Sequence, residues 1–240
     1  MGIKSRYTAG YESTGPLLRR FLGDNPPGEA EVIYRGRNTV SVCEHEGTRL
    51  NFKQFKTPIF INRLAYGCLR KSKARRAFDN AARLQSLGIE TPAPVAVAEE
   101  RRGIMLHHSV FVSLQADGYT DCRSIEREDD FARQAESLAA LILRLHRAGI
   151  VMRDFSPGNI LRRRRPDGTT DLCLVDINRM DFGVRSQRKL DRMFGAIVET
   201  PGAVAVIGRA YARLAGIPED EGAARAVSAF TQVQGHLQRK

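Results

Sequence analysis

An α+β fold of two lobes, a smaller one built on an antiparallel sheet and a second one mainly helical, is the architecture this sequence predicts. Three observations carry it: short alternating apolar runs crowd the first half, long amphipathic stretches fill the second, and one isolated helical stretch interrupts the strands. At 240 residues the chain suits one domain with two lobes, or two small domains sharing a cleft, and 42% hydrophobic against 27% charged residues allow a packed core.

Taken in order, residues 1–29 carry the breaker cluster Asn25-Pro26-Pro27-Gly28 and read as a loosely structured, flexible arm. Strands are expected at Ala30–Tyr34, Thr39–Glu44 and Arg49–Phe55, the last two joined by the turn His45-Glu46-Gly47-Thr48. A basic region from Arg63 to Leu87 is compatible with a helix, with Ala74, Phe78, Ala81, Ala82 and Leu84 as its apolar stripe and Gly88 as its stop. Thr91-Pro92-Ala93-Pro94 then turns the chain into strands at Val95–Glu99 and Ile104–Leu114, completing a first lobe over residues 30–115. In residues 116–240, Phe131–Arg147 places Leu138, Leu141, Ile142 and Leu145 on one face of a helix that ends before Gly149. Strands at Ile150–Met152, Asn159–Arg162 and Leu172–Val175 follow, and the remainder is mainly helical.

Charge and cysteine usage narrow the function classes. Lys and Arg outnumber Asp and Glu by 38 to 27, a net charge of +11 that favours a polyanionic partner. Cys43, Cys68, Cys122 and Cys173 lie far apart without a CxxC pair, so reduced thiols are expected rather than a disulfide framework or zinc site. No apolar signal segment opens the chain, Arg6 breaks a myristoylation motif at Gly2, and Glu199, Arg209 and Arg213 interrupt the apolar stretch 194–217. The arginines 162–165 read as a solvated turn or a rim meeting an acidic substrate, and no nucleic-acid motif accompanies them. His146 is expected at a helix end, near the last carbonyls.

The chemistry lies in Arg153-Asp154-Phe155-Ser156-Pro157-Gly158-Asn159. Asp154 and Asn159 stand five positions apart, the spacing of the kinase catalytic loop D-x-x-x-x-N. Phosphoryl transfer needs a carboxylate to orient the acceptor hydroxyl and oxygen ligands for magnesium, and one such loop supplies both. Downstream, the apolar strand Leu172–Val175 delivers Asp176 at its end, where a carboxylate would hold the metal beside Asn159. Asp181-Phe182-Gly183 spells the kinase DFG literally but follows Asn178-Arg179-Met180 instead of a buried strand, so Asp176 is preferred. Upstream, Leu50-Asn51-Phe52-Lys53 is similar to the strand whose lysine grips nucleotide phosphates, with Asp79 as its candidate acidic partner and Lys56 as a weaker alternative. Tyr34 to Val40 holds one glycine, so GxGxxG is absent.

With these residues in hand, the chain resembles the lipopolysaccharide core kinases (the Kdo/WaaP family), relatives of protein kinases. The likeness is carried by Arg153–Asn159, by Val175-Asp176-Ile177-Asn178-Arg179 as an I-D-x-x-R variant of DFG, by Lys53, and by the stretch from Phe60 through Ile89. The resemblance implies a protein-kinase-like fold and the use of ATP and Mg²⁺ to phosphorylate a sugar hydroxyl, on heptose or Kdo, of the lipopolysaccharide inner core. It implies Asp154 as catalytic base, Asn159 and Asp176 as Mg²⁺ ligands, and Lys53 with Asp79 at the nucleotide phosphates. The implied partner is lipopolysaccharide core or a related anionic glycolipid, not nucleic acid. The implied place is cytoplasmic, peripheral at the inner face of the inner membrane, where a cationic protein meets an anionic surface.

Departures leave other readings open. Met152 stands in place of the histidine of H-R-D, and Ser156 where protein kinases have lysine, with Arg153 and Arg179 as candidate substitutes. Only 64 residues follow Asp176, and no A-P-E triplet is present, which favours a small or glycolipid acceptor over a protein. A kinase-like enzyme for another small molecule or protein, and a pseudokinase scaffold, are the alternatives.

Overall fold

The structure is a computed structural model and describes residues 2–23, 25–56 and 71–237. Cys68, the helical reading of 63–70 and residues 60–70 of the quoted stretch beginning at Phe60 lie outside the described residues. The chain divides into two compact units, residues 1–86 with 92–117, and residues 87–91 with 118–240. Residues 87–91 belong to the second unit because Glu90 accepts the Leu174 amide at 2.9 Å and Thr91 donates its hydroxyl to the Leu174 carbonyl at 2.8 Å.

The first unit is built on an antiparallel sheet of six described strands. These are β1 (Gly2–Tyr7), β2 (Glu31–Arg35), β3 (Asn38–His45), β4 (Thr48–Phe55), β5 (Pro94–Arg102) and β6 (Met105–Leu114), in the order β1-β5-β6-β4-β3-β2. Glu46 and Gly47 both take positive φ, at 50° and 73°, which closes the tight β3–β4 hairpin in register from Asn38↔Phe55 to His45↔Thr48.

The flexible-arm expectation for residues 1–29 does not hold for residues 2–22. β1 pairs with β5 from Gly2↔Arg101 to Tyr7↔Ala96, and α1 (Gly15–Arg20) packs on the sheet. β1 is a polar edge strand, so no apolar alternation announced it. Leu17, Leu18 and Phe21 join Leu50, Phe52, Ala96, Ala98, Val110 and Val112 in one buried cluster, with the Phe21 and Phe52 rings stacked at 3.8 Å. Gln54, on the same face as Leu50 and Phe52, donates to the Phe21 and Gly23 carbonyls at 3.1 and 3.0 Å and closes the chain end of α1.

Alternation then places Asn51, Lys53 and Phe55 on the opposite face. Register carries that face across the sheet, from Lys53 to Phe111, from Phe111 to Val97 and from Val97 to Arg6. Arg6 in turn touches α2 (Lys73–Ser86), its guanidinium 5.6 Å from the Phe78 ring centroid and 3.2 Å from Asp79. Lys53 and the helix bearing Asp79 therefore occupy one face of the sheet. Ala74, Ala77, Phe78, Ala81 and Leu84 are the buried stripe of α2, whereas Ala82, expected on it, is exposed.

In the second unit, α3 (Phe131–Arg147) buries Leu138, Leu141, Ile142 and Leu145 as the 3.6-residue period requires. It ends at Gly149, whose φ of +63° and lack of a side chain let it approach the Val184 carbonyl; an added Cβ would lie 3.0 Å from that oxygen. β7 (Thr120–Asp121), β9 (Ile160–Arg164) and β10 (Thr170–Leu174) form one sheet, and β8 (Val151–Met152) pairs with β11 (Met180–Asp181). α4 (Gln187–Asp191), α5 (Pro201–Ala215) and α6 (Glu219–Leu237) complete it. α5 and α6 cross where Gly208 meets Gly222, so closely that a Cβ on Gly208 would sit 2.6 Å from the Gly222 carbonyl oxygen.

Polar side chains lock this unit. His146 does not meet the end of its own helix as expected. It lies buried between the Tyr211 hydroxyl and the Leu190 carbonyl, each 3.0 Å away, and burial pushes its imidazole down to about 4. Arg162 donates through Nη1 to Glu128 at 2.9 Å and to Gln134 at 2.6 Å, and through Nη2 to the other Glu128 oxygen. Arg164 reaches Glu128 and Asp130 at 2.5 and 2.7 Å, while Arg163 and Arg165 share Asp171 at 3.1 and 2.7 Å. Each arginine of the 162–165 run is thus engaged within the chain. Cys122 and Cys173 are free thiols pushed up to about 12 by burial, and Cys43 is also free and buried.

Candidate active site

The tight turn at Gly149 feeds β8, whose pairing with β11 places Arg153 and Arg179 side by side: the Arg153 amide donates to the Arg179 carbonyl at 2.9 Å. Beyond β8 the chain makes a compact turn. Ser156 N donates to the Asp154 carbonyl and Asn159 N to the Ser156 carbonyl, both at 2.9 Å, with Pro157–Asn159 forming a short 3₁₀ turn. The Asn159 side chain closes the loop, Nδ2 donating to the Asp154 carbonyl at 2.8 Å. That bond fixes the amide through one N–H and leaves Oδ1 without a hydrogen-bond donor among the described residues.

Asn159 directly precedes β9, and Asp176 comes two residues after the end of β10. The two ends are joined where the Val175 amide donates to the Asn159 carbonyl at 2.9 Å. Asp176 itself adopts φ +55°, a left-handed conformation uncommon outside glycine, asparagine and aspartate. Its Oδ1 accepts a hydrogen bond from Asn178 Nδ2 at 2.6 Å, which orients the carboxylate. Phe155 and Ile177, each next to one of the acids, are both 3% exposed and anchor the two loops in the core. The structure thus brings Asp154, Asn159 and the Asp176 segment together through backbone and side-chain bonds.

The Asp154 carboxylate, about one-third exposed, is met by Arg179 Nη1 at 3.0 and 3.2 Å from its two oxygens. The sequence singled out both residues without pairing them. Asp181 is occupied differently: Arg153 grips it with Nε at 2.8 Å and Nη2 at 2.7 Å, and this pair holds its carboxyl below the usual range. The DFG aspartate therefore serves the β8–β11 junction.

In the first unit, Lys53 lies on β4 opposite Val40 and Phe111, its ammonium 5.6 Å from the Phe55 ring centroid. The Asp79 carboxylate meets Lys71 at 2.7 Å, Arg75 one helical turn earlier at 3.1 Å, and Arg6 at 3.2 Å. Burial alone would raise its pKa, but the Lys71 and Arg75 contacts hold it below the usual carboxylate range. Lys71 and Arg6 were not expected partners; both come from outside the helix, where spacing gives no warning.

Oxygen donors from Asn159 and Asp176 are of the hard kind that suits Mg²⁺, an ion that usually takes one or two protein ligands and completes its shell with phosphates and water. Among the described residues no three His, Cys, Asp or Glu side chains cluster as a self-sufficient metal site.

The model of the lipopolysaccharide kinase (Kdo/WaaP) family matches residues 28–196, more than half of the chain. Among solved structures, WaaP in complex with acyl carrier protein is similar over 98% of both chains, with 16% identity and a TM-score of 0.65. The Rio2 kinase–ADP/Mg²⁺–phosphoaspartate complex from Chaetomium thermophilum matches 98% of this chain and 82% of its own, at 17% identity and a TM-score of 0.49. A Stt7 homolog from Micromonas algae soaked with ATP covers 74% of this chain and 53% of its own, at 15% identity and a TM-score of 0.47. Among curated proteins, no sequence match was found.

Proposed function

Because the chain belongs to the lipopolysaccharide kinase (Kdo/WaaP) family and has its kinase fold, we propose that it transfers the γ-phosphoryl group of ATP to a sugar hydroxyl of the lipopolysaccharide inner core, on heptose or Kdo. The observation that carries this reading is the bonded convergence of Asp154, Asn159 and the Asp176 segment, with the Val175–Asn159 bond at its centre.

In this reading Asp154 accepts the proton of the acceptor hydroxyl and aims its oxygen at phosphorus. Asn159 and Asp176 hold Mg²⁺, which neutralises the nucleotide phosphates when bound. Lys53, with Asp79 carried by a helix on the same sheet face, is assigned to the nucleotide phosphates. The excess of cationic residues, net +11, suits an anionic glycolipid displayed at an anionic membrane face, so peripheral contact with the inner membrane forms part of the proposal. Among the described residues, no helix is long and apolar enough to cross a membrane.

The test is to incubate the purified protein with Mg²⁺, ATP and delipidated core oligosaccharide and to follow the sugar by mass spectrometry. A gain of one phosphate on heptose or Kdo, abolished by chelation of the metal, supports the reading. Phosphate appearing only on a protein or an unrelated small molecule rejects it.

A further inference from the structure

Resting on that reading and deepening it, we propose that Arg179 is a catalytic cation of the transfer, releasing part of its hold on Asp154 to bind the phosphoryl group in flight. The hydrogen bonds around the catalytic loop separate Arg179 from the other guanidinium groups there. Arg153 has both faces of its fork committed to Asp181, at 2.8 and 2.7 Å. Arg123, lying against Gly158, is half-committed too, through Nη1 at 2.5 Å, but to Asp121, so of these guanidinium groups only Arg179 rests on Asp154. Arg179 reaches Asp154 through Nη1 alone, and its Nε and Nη2 have no hydrogen-bond acceptor among the described residues. Its side chain is 53% exposed, while its carbonyl is fixed by the Arg153 amide and the next residue opens β11. A fixed backbone with an exposed, half-committed guanidinium is the arrangement a transient contact needs.

The reaction supplies the ligand. As the acceptor oxygen bonds to the γ-phosphorus, the bond from phosphorus to the bridging oxygen breaks and its electron pair leaves with ADP, while the hydroxyl proton passes to Asp154. Negative charge is then spread over three peripheral oxygens, and a preorganised cation there lowers the barrier. Asp154 contacts the attacking oxygen, and that oxygen is bonding to phosphorus. A guanidinium resting on Asp154 therefore stands one side-chain movement from the peripheral oxygens. Two uncommitted donors in a planar fork match two of them.

The experiment compares the full-length wild type with Arg179→Ala and Arg179→Lys in two assays. The first is steady-state transfer to core oligosaccharide. The second, independent of acceptor, is the affinity for Mg²⁺–ADP with and without aluminium fluoride, which mimics the phosphoryl group in flight. Arg179→Ala is expected to lower kcat roughly 10²- to 10³-fold with KM for ATP little changed. Added guanidinium should restore part of the rate, Arg179→Lys should fall between, and the aluminium fluoride enhancement should vanish while ADP affinity stays. Unchanged kcat and unchanged enhancement overturn the proposal, as does equal weakening of ADP with and without aluminium fluoride, which marks a ground-state contact. If Arg179→Ala fails to fold, the lysine variant decides between the same outcomes. A wild type that phosphorylates no core sugar, yet shows an enhancement that depends on Arg179, rejects the acceptor assignment and supports the role of Arg179.

Discussion

The Val175 amide donates to the Asn159 carbonyl at 2.9 Å, and this bond sets the start of one loop against the end of another across 16 residues of sequence. The acids on either side of it have different assignments, which mutation should separate. Asp154→Ala is expected to lower kcat by at least about 10²-fold while leaving Mg²⁺–nucleotide affinity nearly intact, because the proposal has the carboxylate serve the acceptor. Asp176→Ala should weaken Mg²⁺–nucleotide binding itself. Asp181→Asn should leave that binding within a few-fold of wild type. Calorimetric titration with Mg²⁺–ADP, run beside kinetics, distinguishes the three.

Arg162 is largely buried and bound to Glu128 and Gln134, so Arg162→Ala would leave the Glu128 carboxylate at the base of α3 to Arg164 and Gln134. Losing these charge-assisted hydrogen bonds is expected to cost about 1.5–3 kcal/mol, measurable by urea denaturation. The same network makes the fold acid-sensitive. Arg162, with Gln134 and Arg164, holds the Glu128 carboxyl down at about 2 against an ordinary 4.5. Its contribution is complete above pH 4.5 and is lost as pH falls toward 2. Glu128→Gln should lower stability at neutral pH and flatten the acid limb of the curve; an unaltered limb would contradict this.

His146 titrates in the opposite structural sense. Its imidazole is held near 4 against an ordinary 6.5, so the unfolded chain binds the extra proton first. Stability is full above pH 6.5 and declines as pH drops to 4, by on the order of 3 kcal/mol over that window. Chemical denaturation midpoints at pH 7, 5.5 and 4 should trace the decline, and a histidine NMR titration should show one ring resisting protonation until about pH 4.

Gly208 and Gly222 let α5 and α6 touch backbone to backbone. Gly222→Ala should force the helices apart and cost about 1–3 kcal/mol through overpacking. An exposed glycine such as Gly202, which has open space around it, should accept alanine with little change. Thermal unfolding of the two variants side by side makes the comparison.

The central strands, α3 and the turn from Asp154 to Asn159 were legible because each leaves a local trace: alternation, a 3.6-residue stripe, or a fixed spacing of polar residues. The two-lobed α+β architecture followed from them. What escaped was non-local. β1 carries polar residues at a sheet edge, and its place depends on β5, nearly a hundred residues away. Leu17, Leu18 and Phe21 are apolar, but nothing nearby in sequence shows which sheet face they close. The four arginines looked available because their carboxylate partners lie on other elements, and His146 looked like a helix cap because Tyr211 comes 65 residues later. At the site, Asp154 and Arg179 each stood out, but only backbone pairing between β8 and β11 reveals that they meet.

The position of β1 has a practical consequence for anyone shortening or tagging the protein at its front. β5 is a strand whose residues Pro94–Glu100 are all buried, and its outer backbone groups are satisfied by β1. Cutting away residues 2–7 would uncover a long, apolar rim with unmet amides and carbonyls, a template onto which the same rim of another copy would align. Such a truncation is expected to clump during purification before any loss of catalysis is seen, so solubility, not turnover, would be the first property to suffer.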